Sequence, residues 1–383
     1  MPSAGPASPV LVPEKIALVM RRQQGIGRRL HAYGVVLPLT LLAMSLGIIL
    51  LSGLVSAGAG LVLALVPLPL VMLILLRLDR FEPEPTRLIV RTFLWGAGGA
   101  TLIAIVINST VDLAAGEAVA TVFSAPIVEE SAKALALLFV IRKRPGVLDG
   151  VHDGIVYAAW VALGFATVEN ILYYADAFNQ EGAGGVTTVF ILRGVMTPLC
   201  HPLFTAMTGI ALGIAVTRRR GRFVRFVIVS VGLLLAMLLH GLWNLSAETG
   251  ATIIVYLVGY LPLATIGMAL LIGGARRQRR TLREGLQPEV AVGTISEHEY
   301  ALLIAGGRAR AHLRRRARRA GREPARLLYA YEAAAYELAS LNVRGLRTRV
   351  RAEDPVAVLS MYRDCLVSAR GGLQSLAPQV IPD

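Results

Sequence analysis

Phe226-Val-Ile-Val-Ser-Val-Gly-Leu-Leu-Leu-Ala-Met-Leu-Leu-His-Gly-Leu-Trp-Asn-Leu245 contains no Asp, Glu, Lys or Arg. At about 1.5 Å per residue, a helix of that length crosses roughly 30 Å of bilayer hydrocarbon. Similar blocks recur at about 34–55, 60–77, 88–108, 118–141, 152–174, 188–216, 223–246 and 251–274. The composition agrees: 55% of the 383 residues are hydrophobic, only 17% are charged, and the mean hydropathy is +0.61. Soluble domains carry about a quarter of their residues charged. A soluble enzyme, a disordered chain and a disulfide scaffold are therefore excluded. The expected fold is all-α, a polytopic membrane helix bundle of about eight transmembrane helices. Around it we expect a polar segment at 1–31, a membrane domain at 32–274 and a basic helical tail at 275–383.

Lys plus Arg number 39 and Asp plus Glu 25, a formal charge of +14. The excess is ordered along the chain. The hairpins Ser56–Gly60, Asn108–Ala118, Ala175–Gly185 and Ala247–Ala251 hold no Lys or Arg. The alternate loops hold Arg77, Arg80 and Arg87; Arg142, Lys143 and Arg144; and Arg218, Arg219, Arg220, Arg222 and Arg225. After the last span come Arg276, Arg277, Arg279, Arg280 and Arg283. By the positive-inside rule this predicts a multi-pass protein of the cell membrane with both termini in the cytoplasm. In the tail, Glu297–Ala320, Glu323–Leu341 and Val356–Arg370 read as helices, the first dense in arginine from Arg308 to Arg319. That helix suits anionic lipid or a cytoplasmic protein. It lacks the aromatic interleaving of a nucleic-acid surface. Cys200 and Cys365 lie in a membrane block and in the tail, so no disulfide is expected.

A charge near the bilayer centre costs at least about 2.5–3.5 kcal/mol, so each one needs a reason. Four consecutive spans carry them. The fourth has Glu129, Glu130 and Lys133; the fifth has Glu169 and Asn170; the sixth has Arg193, His201, Thr205 and Thr208; the seventh has His240 and Asn244. Glu129 and Lys133, His201 and Thr205, and His240 and Asn244 are each four apart, so each pair shares a helix face. Counted from the cytoplasmic ends, Glu129 lies about 18 Å in, Glu169 and His201 roughly 23–26 Å, and His240 about 25 Å. They form one layer just outward of the midplane. Carboxylates there can take a proton from water, and imidazoles can hold a metal or donate to an oxyanion. A proton- or metal-coupled transporter could use the same layer. Confinement of the ionisable groups to one half of the chain counts against it, since transporters often repeat their halves.

Read in order, Glu129-Glu130-x-x-Lys133, Phe165-x-x-x-Glu169-Asn170, His201-x-x-x-Thr205 and His240-x-x-x-Asn244 resemble the signature of the PrsW-type intramembrane proteases, distant relatives of the CAAX prenyl endopeptidases. Phe81-Glu-Pro-Glu-Pro85 and Asp149-Gly-Val-His-Asp-Gly154 resemble it too, and the resemblance covers about residues 77–246. It implies hydrolysis of a peptide bond in a membrane-anchored protein, with anti-sigma factors as the type of substrate. It makes Glu129 the water-activating base supported by Glu130, with Glu169, His201 and His240 completing the site and Asn244 an oxyanion donor. The metalloprotease character of the family implies Zn2+ on Glu129, Glu169, His201 and His240, although no His-Glu-x-x-His is present. A glutamate mechanism without metal is the alternative.

Overall fold

A computed structural model of the chain describes residues 44, 46–50, 52–79, 84–143, 148, 150–217, 221–305, 307–344 and 355–381. The N-terminal segment, most of the expected first span, Arg80 to Pro83, Arg144, Asp149 and Arg218 to Arg220 lie outside them. Among the described residues there are helices and no strand. Two compact units divide the chain, with the boundary between Leu271 and Ile272.

The membrane unit contains α1 (Leu54–Leu78), α2 (Thr86–Ala115), α3 (Ala125–Lys143), α4 (Val151–Phe190), α5 (Cys200–Thr217), α6 (Arg222–Glu248) and the first part of α7 (Thr252–Ala291). Five stretches are long and apolar enough to cross a membrane: α1, α2, Val151–Thr217, α6 and α7. α3 falls outside that set because it carries Glu129, Glu130 and Lys133. Val151–Thr217 is two antiparallel arms. Its chain reverses at Gly182, whose φ of 65° is a left-handed conformation open to glycine. Partners across the reversal pair off around that residue: Asn170 with Arg193, Tyr174 with Phe190, and Gly154 with Gly209. The protein is thus a multi-pass, all-α membrane bundle.

One expected hairpin is displaced. Ser56–Gly60 lies inside α1, and the break before it falls at Gly53, with φ 85°. Small residues read as a turn because Gly is a poor helix former, but Gly60 is needed for contact. A Cβ there would run into the backbone of Ile171 and Ala175 on α4. The same holds for Gly96 of α2 against Val161 and Phe165, and for Gly213 of α5 against Val151. α4 is therefore the axis of the bundle, approached by the backbones of α1, α2 and α5, in the small-residue manner of membrane helices. α6 shows the complementary pattern. Gly232, Ala236 and His240, four apart, are buried, while Leu234, Leu238, Leu242 and Leu245 are exposed and suit lipid.

The second unit is helical and has its own core. It comprises α7 from Ile272 onward, α8 (Glu297–Ile304), α9 (Gly307–Ala320), α10 (Arg322–Arg344) and α11 (Pro355–Leu376). Leu286, Ile295, Leu338, Leu366, Leu373 and Ile381 are fully buried in it. Glu289 is held by Arg363 at 2.8 and 3.0 Å, and Glu299 by Arg370 and Tyr331 at 2.9 Å each. Cys200 and Cys365 are free and buried.

Candidate functional site

α3 presents Glu129, Glu130 and Lys133 to the interior, at 4%, 0% and 0% exposure. Their three- and four-residue spacing puts all three on one face. Lys133 Nζ donates to Glu130 Oε1 at 2.8 Å and to Glu129 Oε2 at 3.4 Å. The ammonium also lies 4.0 Å over the Phe165 ring of α4. α5 brings His201 and Thr205, and α6 brings His240; all three are buried. Thr205 Oγ1 donates to Glu130 Oε2 at 2.8 Å, so both oxygens of Glu130 are engaged.

The two imidazoles meet edge to face at 5.1 Å between ring centroids. Each is backed by a carboxylate. His240 Nδ1 lies 3.2 Å from Glu130 Oε1, and His201 Nε2 lies 2.8 Å from Glu169 Oε2. A carboxylate only accepts, so each of these nitrogens carries the proton, and the other nitrogen of a neutral ring presents a lone pair. For His240 that nitrogen is Nε2, 3.8 Å from Glu129 Oε2. For His201 it is Nδ1, which meets Lys133 Nζ at 3.1 Å. Glu129, His201 and His240 thus bring one donor atom each within 4.8 Å of one another. A carboxylate on the far side of each ligating histidine is the usual arrangement around a protein-bound metal. Two imidazoles and a carboxylate are a zinc-type donor set, so the residues fit such an ion.

Glu169 stands behind this trio. Arg193 pairs with it, donates from Nε to Asn170 Oδ1 at 2.8 Å, and stacks over the Tyr173 ring at 3.9 Å. Arg193 sits in a π-turn, Ile191–Met196, a widened turn of a kind frequent at functional sites. A small cleft lined by Asn170, Arg193, Thr197, His201 and Trp243 among others adjoins His201. Asn244 is directed elsewhere: its amide donates to the Thr121 carbonyl at 2.8 Å, at the entry to α3. Of the six residues singled out from sequence, five are linked in one buried network and Asn244 is not part of it.

Three residues that the sequence places in these spans, without a catalytic or metal role, also join the network: Lys133, Thr205 and Arg193. The four-residue spacings of Lys133 to Glu129 and of Thr205 to His201 put those two on the site's helix faces. A separate buried group lies at the start of α4. Tyr157 Oη donates to Glu84 Oε2 at 2.6 Å, and both oxygens of Asp79 accept from the Glu84 N–H at 3.1 Å. Burial, with the nearby charge of Asp153, pushes the Glu84 carboxyl well above its ordinary value. Asp153, at the third position of α4, accepts from the N–H of the cap residue Gly150 at 3.1 Å and so closes the helix start.

Comparison with known proteins points the same way. Residues 84–268 match the model of the "PrsW family intramembrane metalloprotease". The chain is 32% identical over 171 residues to the Protease PrsW of Geobacillus kaustophilus, covering 43% of this chain and 69% of the relative. It is 28% identical over 185 residues to that of Bacillus subtilis, covering 48% and 80%. With that of Clostridioides difficile it shares 27% over 190 residues, covering 48% and 76%. No solved structure matches the chain. With α3 to α6 and every residue of the buried network inside the matched span, the chain belongs to the PrsW family of intramembrane proteases.

Proposed function

We propose that the network cleaves a peptide bond of a membrane-anchored protein, of the anti-sigma-factor type, with a water activated by Glu129. The observation that carries this is the unequal engagement of the three carboxylates. Glu130 is held by Lys133, His240 and Thr205, and Glu169 by Arg193 and His201. Glu129 has only the longer contacts through Oε2, and its other oxygen has no hydrogen bond among the described residues. A base needs a free lone pair facing the imidazoles: Glu130 has both oxygens engaged, and Glu169 is bound to Arg193 behind His201, so Glu129 is the carboxylate left beside the two rings with an unengaged oxygen. It takes the proton as the water oxygen bonds to the scissile carbonyl carbon. It then returns the proton to the amide nitrogen as the C–N bond breaks. Glu130 holds His240 in its tautomer, and Glu169, fixed by Arg193, does the same for His201.

Both imidazoles point lone pairs at the centre, which suits them to hold an ion and not to donate to an oxyanion. Glu129, His201 and His240 would hold zinc, which when bound acidifies water and polarises a carbonyl. Glu169 lies behind His201 in this reading and orients it. In nanodiscs with a membrane-anchored substrate, Glu129→Gln should lower the cleavage rate by about 10²–10⁴-fold. Its thermal stability should stay near that of the wild type. Undiminished cleavage by this variant would remove the proposed base.

A further inference from the structure

The Lys133 ammonium is placed where an ion would go. It touches the facing nitrogen of His201 at 3.1 Å and Glu129 Oε2 at 3.4 Å, and His201 and Glu129 are two of the three residues whose donor atoms converge. It is fully buried, and its strongest contact is a third one, Glu130 Oε1 at 2.8 Å. We propose that Lys133 is the resident cation of the trio, and that a divalent transition-metal ion loads by displacing its ammonium from His201 and Glu129. This rests on the metal-binding reading above and deepens it.

The reasoning is one of shared lone pairs and like charges. The lone pair of His201 Nδ1 can accept a proton from Lys133 or bind an ion, not both. An ammonium in contact with two ligands of a divalent cation would also repel that cation at close range in a water-poor site. Glu130 is not one of the three converging donors, so the lysine can keep its ion pair with Glu130 after it leaves the other two. In the metal-free protein the ammonium offsets the charge of Glu129 and Glu130, which would otherwise repel each other. The inference assigns Lys133 a positioning role: it holds the donors together before loading and sets how tightly the ion binds.

The test uses full-length protein in nanodiscs with zinc as the probe. Lys133→Met keeps bulk and removes charge. It should bind zinc at least tenfold more tightly than the wild type by chelator competition, while its metal-free form melts at lower temperature. His201→Ala should abolish the binding. Should the metal-free methionine variant fail to fold, the wild type can be read directly. The chain has three lysines, Lys15, Lys133 and Lys143. Labelling the side-chain nitrogens with 15N therefore gives three signals, and the one absent from Lys133→Arg belongs to Lys133. Zinc should shift that signal and leave the others in place. Equal or weaker zinc binding by Lys133→Met, or a Lys133 signal that zinc does not move, would overturn the proposal. If neither protein binds zinc, the proposal falls together with the metal reading. The protease reading would then still stand or fall separately, on loss of cleavage in Glu129→Gln.

Discussion

Asn244 and His240 sit one turn apart on α6, yet their side chains serve different neighbours. His240 reaches Glu130, whereas Asn244 caps the Thr121 carbonyl of the segment that leads into α3. Asn244→Ala should therefore act on packing: a loss of about 0.6–1.7 kcal/mol, the range for interhelical hydrogen bonds in membranes. Cleavage should fall less than tenfold. A loss as large as that of Glu129→Gln would put Asn244 back among the groups that touch substrate. Glu84 offers a second test, on pH. Its folded carboxyl is protonated above the ordinary range because of burial and Asp153. A raised value means that the stability it contributes is full below about pH 4.5 and is lost as pH rises through the folded value. Glu84→Gln should flatten that fall, visible as a smaller change in melting temperature between pH 5 and 8. A profile unchanged from the wild type would contradict the assignment. Residues of this kind are partly legible in sequence. Any ionisable group in hydrocarbon needs a reason, so Glu129, Glu130, Glu169, His201 and His240 stand out in a linear reading. Which atom faces which neighbour is decided by helix rotations smaller than one residue step. That is why Glu169 behind His201, and Asn244 away from the cluster, emerge only in three dimensions.

At the scale of elements, close approach to α4 decides where the site residues land. Gly154 of α4 and Gly209 of α5 lie backbone to backbone, and a Cβ on either would enter the carbonyl of the other. Gly209 is two turns along the same helix from His201, so any wedge there tilts His201 away from Glu169. Gly209→Leu should cost about 1–3 kcal/mol, as overpacked cores do. Cleavage should fall with it even though no site residue is altered. Wild-type activity in that variant would mean that the α4–α5 contact does not set the geometry. Helix positions were readable from hydropathy where the span is long and apolar, as in α1, α2, α4, α6 and α7. The turns were less so. Gly53, Gly116, Gly182 and Gly250 each make one with positive φ, but Gly60, Gly96, Gly164 and Gly209 lie inside helices for contact. A linear pattern does not separate a glycine that turns from a glycine that packs. The expected hairpin at Ser56–Gly60 was misplaced for that reason. The helix α7 itself continues beyond the expected span as an arginine-rich stretch to Ala291, on which Leu282 and Leu286 are buried in the core of the second unit.

For the whole molecule, the charge asymmetry of the loops and the depth of the network together predict where substrate is cut. Glu169 lies 18 positions from Val151 and 13 from Gly182, about 27 Å and about 20 Å along the helix. His240 lies 18 positions from Arg222 and 8 from Glu248, about 27 Å and about 12 Å. The network thus sits nearer the ends that meet at Gly182 and Gly250 than the ends marked by Arg142 and Arg222. If positive loops stay in the cytoplasm, the former ends face outward. Single cysteines at Thr249 and Arg276 in a background without Cys200 and Cys365 check this orientation. A membrane-impermeant thiol reagent added to intact cells should label the first and spare the second. With that orientation in place, the cleaved bond of a substrate segment mapped by mass spectrometry should fall in its outer half. The cleft beside His201, with Arg193 and Asn170 in its wall, is where such a segment would enter. A bond cut in the inner half, with the cysteines labelled as expected, would mean that substrate is drawn across the bilayer before cleavage. In that case depth along the helices would not predict the cut. Reversed labelling would instead invert the topology and leave the network's geometry untouched.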